Sequence, residues 1–343
     1  MSKTYRVGVL GLTHDHVWGN LEQLVALPNA TLVAAADPHT ELQKTVHDRF
    51  DCTTYSDYED MLDSQELDAV YIFSDNATGT ELCQLAASRS LHILIEKPLA
   101  ATLAGADEAL AAVRQTGVRL MVNWPFAWWP QMQHVLRLVQ SGEIGRIQQV
   151  KYRAAHAGPK ELGCSEYFCD WLFDADRNGA GALIDYCCYG CILACTLLGS
   201  PCRVTGVSGR LNKDELLVED NAILVMLYQR AMAVAEGSWT EIGDLTNYRT
   251  TIQGTTGTFF MEPRQGGKLL KATTDKPNGE EVTVPELPPE QQSASAHFLA
   301  CLESGEPFLP MCQDRLARDA QEILQAGLQS AREGMQISLP LPW

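Results

Sequence analysis

The residues most able to do chemistry sit at the ends of short apolar runs. "YRVGVLG" ends on Gly11, which can make the tight turn that opens a dinucleotide-binding helix. The free N–H groups of such a helix suit a pyrophosphate. Thr13 and His16 stand where the second and third glycines of G-x-G-x-x-G would be, with His14 between them. Thr13 is small, and its hydroxyl can itself donate to a phosphate oxygen. "TLVAAAD" ends on Asp37, which suits either a pair of ribose hydroxyls or a turn. No arginine follows it, so a bound cofactor is expected to be NAD rather than NADP. "DAVYIFS" runs into the polar loop "FSDNATGT", which carries Ser74 and Asn76. "HILIEKP" brings Glu96 and Lys97 to a strand end, where Pro98 fixes the turn. Lys97 there is either a crevice residue or a surface lysine. Farther on, Asp185 and Tyr189 are four apart, so they share one helix face.

The elements that must position these residues change character along the chain. Up to Trp124, continuous apolar strands alternate with helical stretches, as in a parallel sheet covered on both faces. Beyond it come longer, alternating strands such as "RIQQVKYRAAH", "NAILVMLYQ" and "YRTTIQGTTGTFFM", which suggest a largely antiparallel sheet. A helix is expected over about 179–198, and two amphipathic helices close the chain. The fold class is therefore α/β: a doubly wound Rossmann sheet over 1–123, then an α+β domain with a large open sheet over 124–343. The open face is a candidate for a homodimer or homotetramer contact. "EPRQGGKLLKATTDKPNGEE" reads as hairpin loops, and "GPKELGCSEYFCDW" as a long loop of polar and aromatic residues.

Length, charge and cysteines exclude several classes. With 343 residues and a net charge of −17, binding to nucleic acid or anionic lipid is disfavoured. No apolar run approaches a membrane span, no signal peptide is legible, and a cytoplasmic location is expected. The eleven cysteines include the cluster Cys187, Cys188, Cys191, Cys195 and Cys202. A second pair at matching spacing is missing, so these read as buried thiols and no metal site is expected.

Together the Gly11 turn, Asp37 and "EKPLA" resemble the glucose-fructose oxidoreductase/inositol dehydrogenase (Gfo/Idh/MocA) family. "SGEIGRIQQV", "GAGALIDYCCYG", "IQGTTGTFF" and "HFLACLESGEPFLP" continue the resemblance in order over nearly the whole chain. It implies Lys97 and Tyr189 as the catalytic residues, with Asp185 one turn before Tyr189. A tyrosine at that last position, rather than the commoner histidine, resembles the glucose-fructose oxidoreductase and dihydrodiol dehydrogenase branches. Secondary-alcohol oxidation needs a hydride acceptor, which nicotinamide supplies, and a base. A lysine ammonium beside a tyrosine would favour its phenolate, and Asp185 would hold Lys97 charged or bind a hydroxyl. His156, Trp171, Asp174 and Trp124 are the expected contacts to a polyhydroxy small molecule, with Tyr167 and Arg177 nearby. Trp124, Trp128 and Trp129 form either an aromatic wall or interdomain packing. The implied activity is that of an NAD(P)-dependent oxidoreductase on a sugar, cyclitol or similar compound. Two readings stand beside it. One is a redox-neutral enzyme that oxidises a sugar transiently and eliminates a leaving group, with His156 or Asp174 as second base. The other is a non-catalytic ligand-binding or regulatory protein.

Overall fold

The computed structural model describes residues 3–262 and 266–342. The first half runs β1 (Tyr5–Leu10), α1 (His16–Val25), β2 (Ala30–Ala36), α2 (Thr40–Phe50), β3 (Thr53–Tyr55), α3 (Tyr58–Ser64), β4 (Ala69–Ile72), α4 (Asn76–Ser88), β5 (His92–Glu96), α5 (Leu103–Thr116) and β6 (Leu120–Asn123). Its six strands are all parallel, in the order β3-β2-β1-β4-β5-β6. The order reverses beside β1, and ligands of such sheets bind at that point, outside the carboxyl ends. Strand β4 is buried along its whole length, as a two-sided parallel strand must be. Helix α5 shows why its boundaries fall where they do. Thr102 caps the start by accepting from the Gly105 N–H, and Gly117 ends it at φ 72°. The three-residue β3 is an addition to the sequence reading. "TTY" is too short and too polar to stand out, and forms by pairing with β2.

The second half contains α6 (Pro130–Gln140), β7 (Ile147–Ala155), α7 (Glu166–Leu172), α8 (Ala175–Asn178), α9 (Ala182–Leu198), β8 (Arg203–Gly209), β9 (Asn221–Leu227), β10 (Met232–Ser238), β11 (Arg249–Gly254), β12 (Thr258–Met261), β13 (Leu269–Ala272), β14 (Glu280–Glu281), α10 (Ala294–Ser304), α11 (Asp314–Glu333) and β15 (Ile337–Ser338). Nine strands form one sheet, antiparallel except where β7 and β10 run parallel. "YRTTIQGTTGTFFM" is two strands, closed by a Gly254 N–H to Gly257 carbonyl bond of 2.8 Å. The stretch read as hairpin loops holds β13 and β14; Pro263, Arg264 and Gln265 within it lie outside the described residues. The long loop after β7 is corrected too, because "EYFCDWL" is helical, capped by the Ser165 hydroxyl.

Helix α9 is apolar nearly all round, and every residue from Ala182 to Cys195 is buried. Such a helix belongs in a core. The stretch 175–198 is long and apolar enough to pass for a membrane span, but 83% of its most apolar 18-residue window is buried within the fold. Gly190 lets α9 lie on β10: a Cβ there would meet the Ala235 Cβ at 2.4 Å. The opposite face of β8–β10 is open and exposes Val207, Ile223, Val225 and Met232. The two halves share one apolar core. Phe298 of α10 packs edge-on against Tyr71 of β4, so the chain's end covers a face of the first sheet.

Candidate active site

The carboxyl end of β5 meets the first turn of α9, and this places three of the expected residues together. Lys97 Nζ lies 2.7 Å from Asp185 Oδ1 and donates to the Asp185 carbonyl at 3.1 Å. The other oxygen, Oδ2, accepts from Trp239 Nε1 at 3.2 Å. The Lys97 side chain is 3% exposed. Burial alone would drive its pKa down; Asp185 more than reverses this and holds it above the ordinary lysine value. Lys97 is a crevice residue, not a surface lysine. Its Nζ also stands over the Tyr189 ring, 4.9 Å from the centroid.

One expectation is corrected here. Lys97 does not pull Tyr189 toward phenolate. The cation faces the ring, and Asp185 neutralises it. Tyr189 packs among Trp124, Phe126, Tyr152 and Tyr186, with centroids 5.2 to 6.2 Å away. Burial, then the neighbouring Cys188 and Glu96, push its phenol well above the ordinary tyrosine value. The group is a neutral O–H at physiological pH.

The remaining expected residues divide. Trp124 stands at the site, edge-on to Tyr189. His156 lies edge-on to Tyr186 at 4.8 Å, and its Nδ1 accepts from the Gly158 N–H. Asp174 is exposed and caps α8 through the Asp176 and Arg177 N–H groups, so it does not face Tyr189. Trp171 is also displaced: it packs against His14 of the first sheet's turn. Trp128 and Trp129 pack at the domain junction, where Trp128 Nε1 donates to Asn123. Sequence reasoning missed Trp239, Phe126, Tyr152 and Tyr186. Trp239 is 54 residues from Asp185 and arrives only because β10 ends beside the start of α9. Four of the clustered cysteines are buried on α9, as expected, but Cys202 is exposed beyond it.

The dinucleotide-type crevice lies beside this centre. Its donors and acceptors suit the cofactor of such sheets: Gly11 turns at φ 84°, α1 starts just beyond it, and Asp37 ends β2. Several of these groups, however, are taken up by the chain itself. Asp37 is fully buried, its Oδ2 taken by the Leu12 N–H at 2.6 Å and its Oδ1 by His39. The His14 N–H donates to the Phe73 carbonyl. Segment 165–178 lies across the opening. Ser165 donates through N and Oγ to Asp15, Phe168 packs edge-on and Trp171 tilted against His14, and Tyr167 lies edge-on to His39. Arg177 pairs with Asp75, and the Asn76 amide donates to Asn178. Ser74 is buried as well. The side chains fit a dinucleotide, and the contacts of 165–178 close over the turn that would hold it. Glu96 accepts from Asn123 and contacts His16 Nδ1 at 3.0 Å.

Residues 5–124 match the family described as "Oxidoreductase family, NAD-binding Rossmann fold", and 132–260 match the GFO/IDH/MocA C-terminal domain. The chain is 29% identical over 224 residues to a dTDP-3,4-didehydro-2,6-dideoxy-alpha-D-glucose 3-reductase of Streptomyces antibioticus. That stretch spans 65% of this chain and 66% of the enzyme's length. It is 26% identical to a D-apiose dehydrogenase of Paraburkholderia graminis, over 97% of this chain and 88% of that one. Its fold is similar to the crystal structure of an aldose-aldose oxidoreductase from Caulobacter crescentus, with a TM-score of 0.84, 21% identity and coverage of 98% and 100%.

Proposed function

We propose, from the premise that the chain belongs to the Gfo/Idh/MocA oxidoreductase family, that it transfers a hydride between a nicotinamide dinucleotide and a polyhydroxy compound. The reacting group is a secondary alcohol or its ketone on a sugar, cyclitol or relative of these. The observation that carries the reading is the buried Lys97–Asp185–Tyr189 cluster at the mouth of the switch-point crevice. The names of the similar proteins, a sugar-nucleotide reductase and a sugar dehydrogenase, support the substrate class. Asp37 favours NAD, since a carboxylate there repels a 2′-phosphate. Residues 1–123 would serve the dinucleotide and 124–343 the substrate, with the open face of β8–β10 joining copies of the chain. The eleven cysteines, none bonded to another among the described residues, suit a cytoplasmic location.

The bound dinucleotide supplies the hydride acceptor or donor. The chain's residues handle the proton and the charge. Tyr189, held as a neutral phenol, donates its proton to the oxygen that gains charge when a ketone is reduced. Lys97, held as an ammonium by Asp185, packs over the Tyr189 ring and holds the phenol in place. Trp239 fixes Asp185, and Trp124 and Phe126 exclude water around the phenol. Reduction is thus the direction favoured at neutral pH. In the oxidative direction Tyr189 must first lose its proton, which its surroundings resist. The test is a screen of keto-sugars with NADH and of polyols with NAD, following NADH absorbance. Turnover with at least one member supports the reading. No turnover across the panel, together with no binding of NADH, rejects it.

A further inference from the structure

We propose that His14, His16 and Glu96 bind one divalent first-row transition ion of the Zn2+ class, with an open coordination position facing the cleft beside α1. The three residues are 82 positions apart at most and converge only in the fold. Each offers one ligand atom, and these atoms all lie within 4.8 Å of one another. His16 Nδ1 and Glu96 Oε1 are already 3.0 Å apart. A tetrahedral ion at about 2.1 Å from each ligand needs separations of roughly 3.4 Å, so closing the set takes shifts of about 1 Å. Two imidazoles and one carboxylate form the donor set of an open zinc site, whereas Mg2+ and Ca2+ prefer oxygen alone.

The surroundings hold the ligands in place. Asn123 Nδ2 donates to Glu96 Oε2 at 2.8 Å, which leaves Oε1 for the ion. Trp128 Nε1 in turn donates to Asn123 Oδ1 at 2.9 Å. The His14 ring packs against both Phe168 and Trp171, which also touch each other. Its Nδ1 accepts the His16 N–H at a long 3.2 Å, a contact the ion would displace. The nearby ammonium of Lys97 is neutralised by Asp185. His16 is 41% exposed and lines a cavity of about 430 Å³ with Asp15, Asn20, Asn123 and Trp128. A water, phosphate or carboxylate oxygen can reach the open position from there. His16, which stands at the third glycine position of the turn, and His14 beside it thereby acquire a common purpose. The proposal needs neither hydride transfer nor a bound dinucleotide.

The test uses the full chain, stripped with a chelator and titrated with Co2+ and then Zn2+. The expected result is one Co2+ per chain with visible ligand-field bands and no thiolate charge-transfer band, displaced by Zn2+ with a rise in the thermal midpoint. His16→Ala and Glu96→Gln each weaken binding at least tenfold, and Asn123→Ala roughly 10- to 100-fold through Glu96. Substoichiometric uptake, a thiolate band from Cys202, or undiminished binding in His16→Ala overturns the proposal. His16 is half exposed, so that variant keeps the fold and decides the matter even where Glu96→Gln unfolds. A metal site with neither NADH turnover nor NADH binding leaves this proposal standing and rejects the oxidoreductase reading; turnover without a metal site does the reverse.

Discussion

Replacing Asp185 with Asn isolates the charge at the centre of the site. The amide keeps an oxygen for Trp239 and nearly the same volume, but leaves Lys97 as a buried cation without its partner. Removing one member of a buried ion pair costs about 3–5 kcal/mol. The 2.7 Å contact and single-digit exposure of both side chains put this pair in that class. Lys97 can limit the cost by losing its proton, because burial already pushes its pKa down and Asp185 is what reverses it. The wild type and the variant then differ in sign. In the wild type the folded-state pKa lies above the unfolded 10.5, so Lys97 is protonated in both states below that value and adds no slope from pH 6 to 9. In the variant the folded pKa falls below 10.5, and the unfolded chain binds more protons. Stability should then rise with pH by up to about 1.4 kcal/mol per unit between the two pKa values. Thermal unfolding at pH 7 and pH 9 measures this, with a loss at pH 7 of roughly 6 °C or more at about 2–4 °C per kcal/mol. Adding Lys97→Met to the variant should recover most of the loss and abolish the slope. A variant less than about 1 kcal/mol weaker, with no pH slope, would refute the buried-pair reasoning.

Three further outcomes follow from the same geometry. The raised phenol of Tyr189 should give a ketone-reduction rate flat from pH 6 to 9 and an alcohol-oxidation rate climbing about tenfold per unit over that range, read from initial rates. An oxidation rate that levels off near pH 7 would contradict a neutral Tyr189. Asp15→Ala removes both acceptors for Ser165, so segment 165–178 should release more readily and NADH should bind about tenfold tighter by fluorescence titration; weaker binding would contradict the closed-crevice account. Ile223→Arg with Val225→Arg puts charge on the open sheet face, and light scattering should then report a smaller oligomer than the wild type; unchanged mass would move the contact elsewhere.

Much of the architecture was legible because burial leaves a mark in sequence. The apolar runs of β1, β4 and β5 read directly as parallel strands, and the spacing of Asp185 and Tyr189 placed both on one face of α9. Their acid–base behaviour was not legible. Whether Lys97 lowers the Tyr189 pKa depends on where the ammonium points, and it points at Asp185 and at the face of the ring. Segment 165–178 was misread for a related reason. Its aromatic and charged residues suggested a ligand, whereas Phe168, Trp171 and Arg177 find their partners in the chain's own first sheet. Local spacing carries no information about such a partner. Trp239 and the meeting of His16 with Glu96 were invisible on the same ground.

The most direct test of the central claim follows NADH consumption at pH 7 with the keto-sugar that turns over best, comparing the wild type with Tyr189→Phe. The variant keeps the ring packing against Phe126 and Tyr152 and loses only the hydroxyl. The account predicts a fall in kcat of at least roughly 100-fold with the thermal midpoint and NADH affinity retained. Full activity in the folded variant would contradict it.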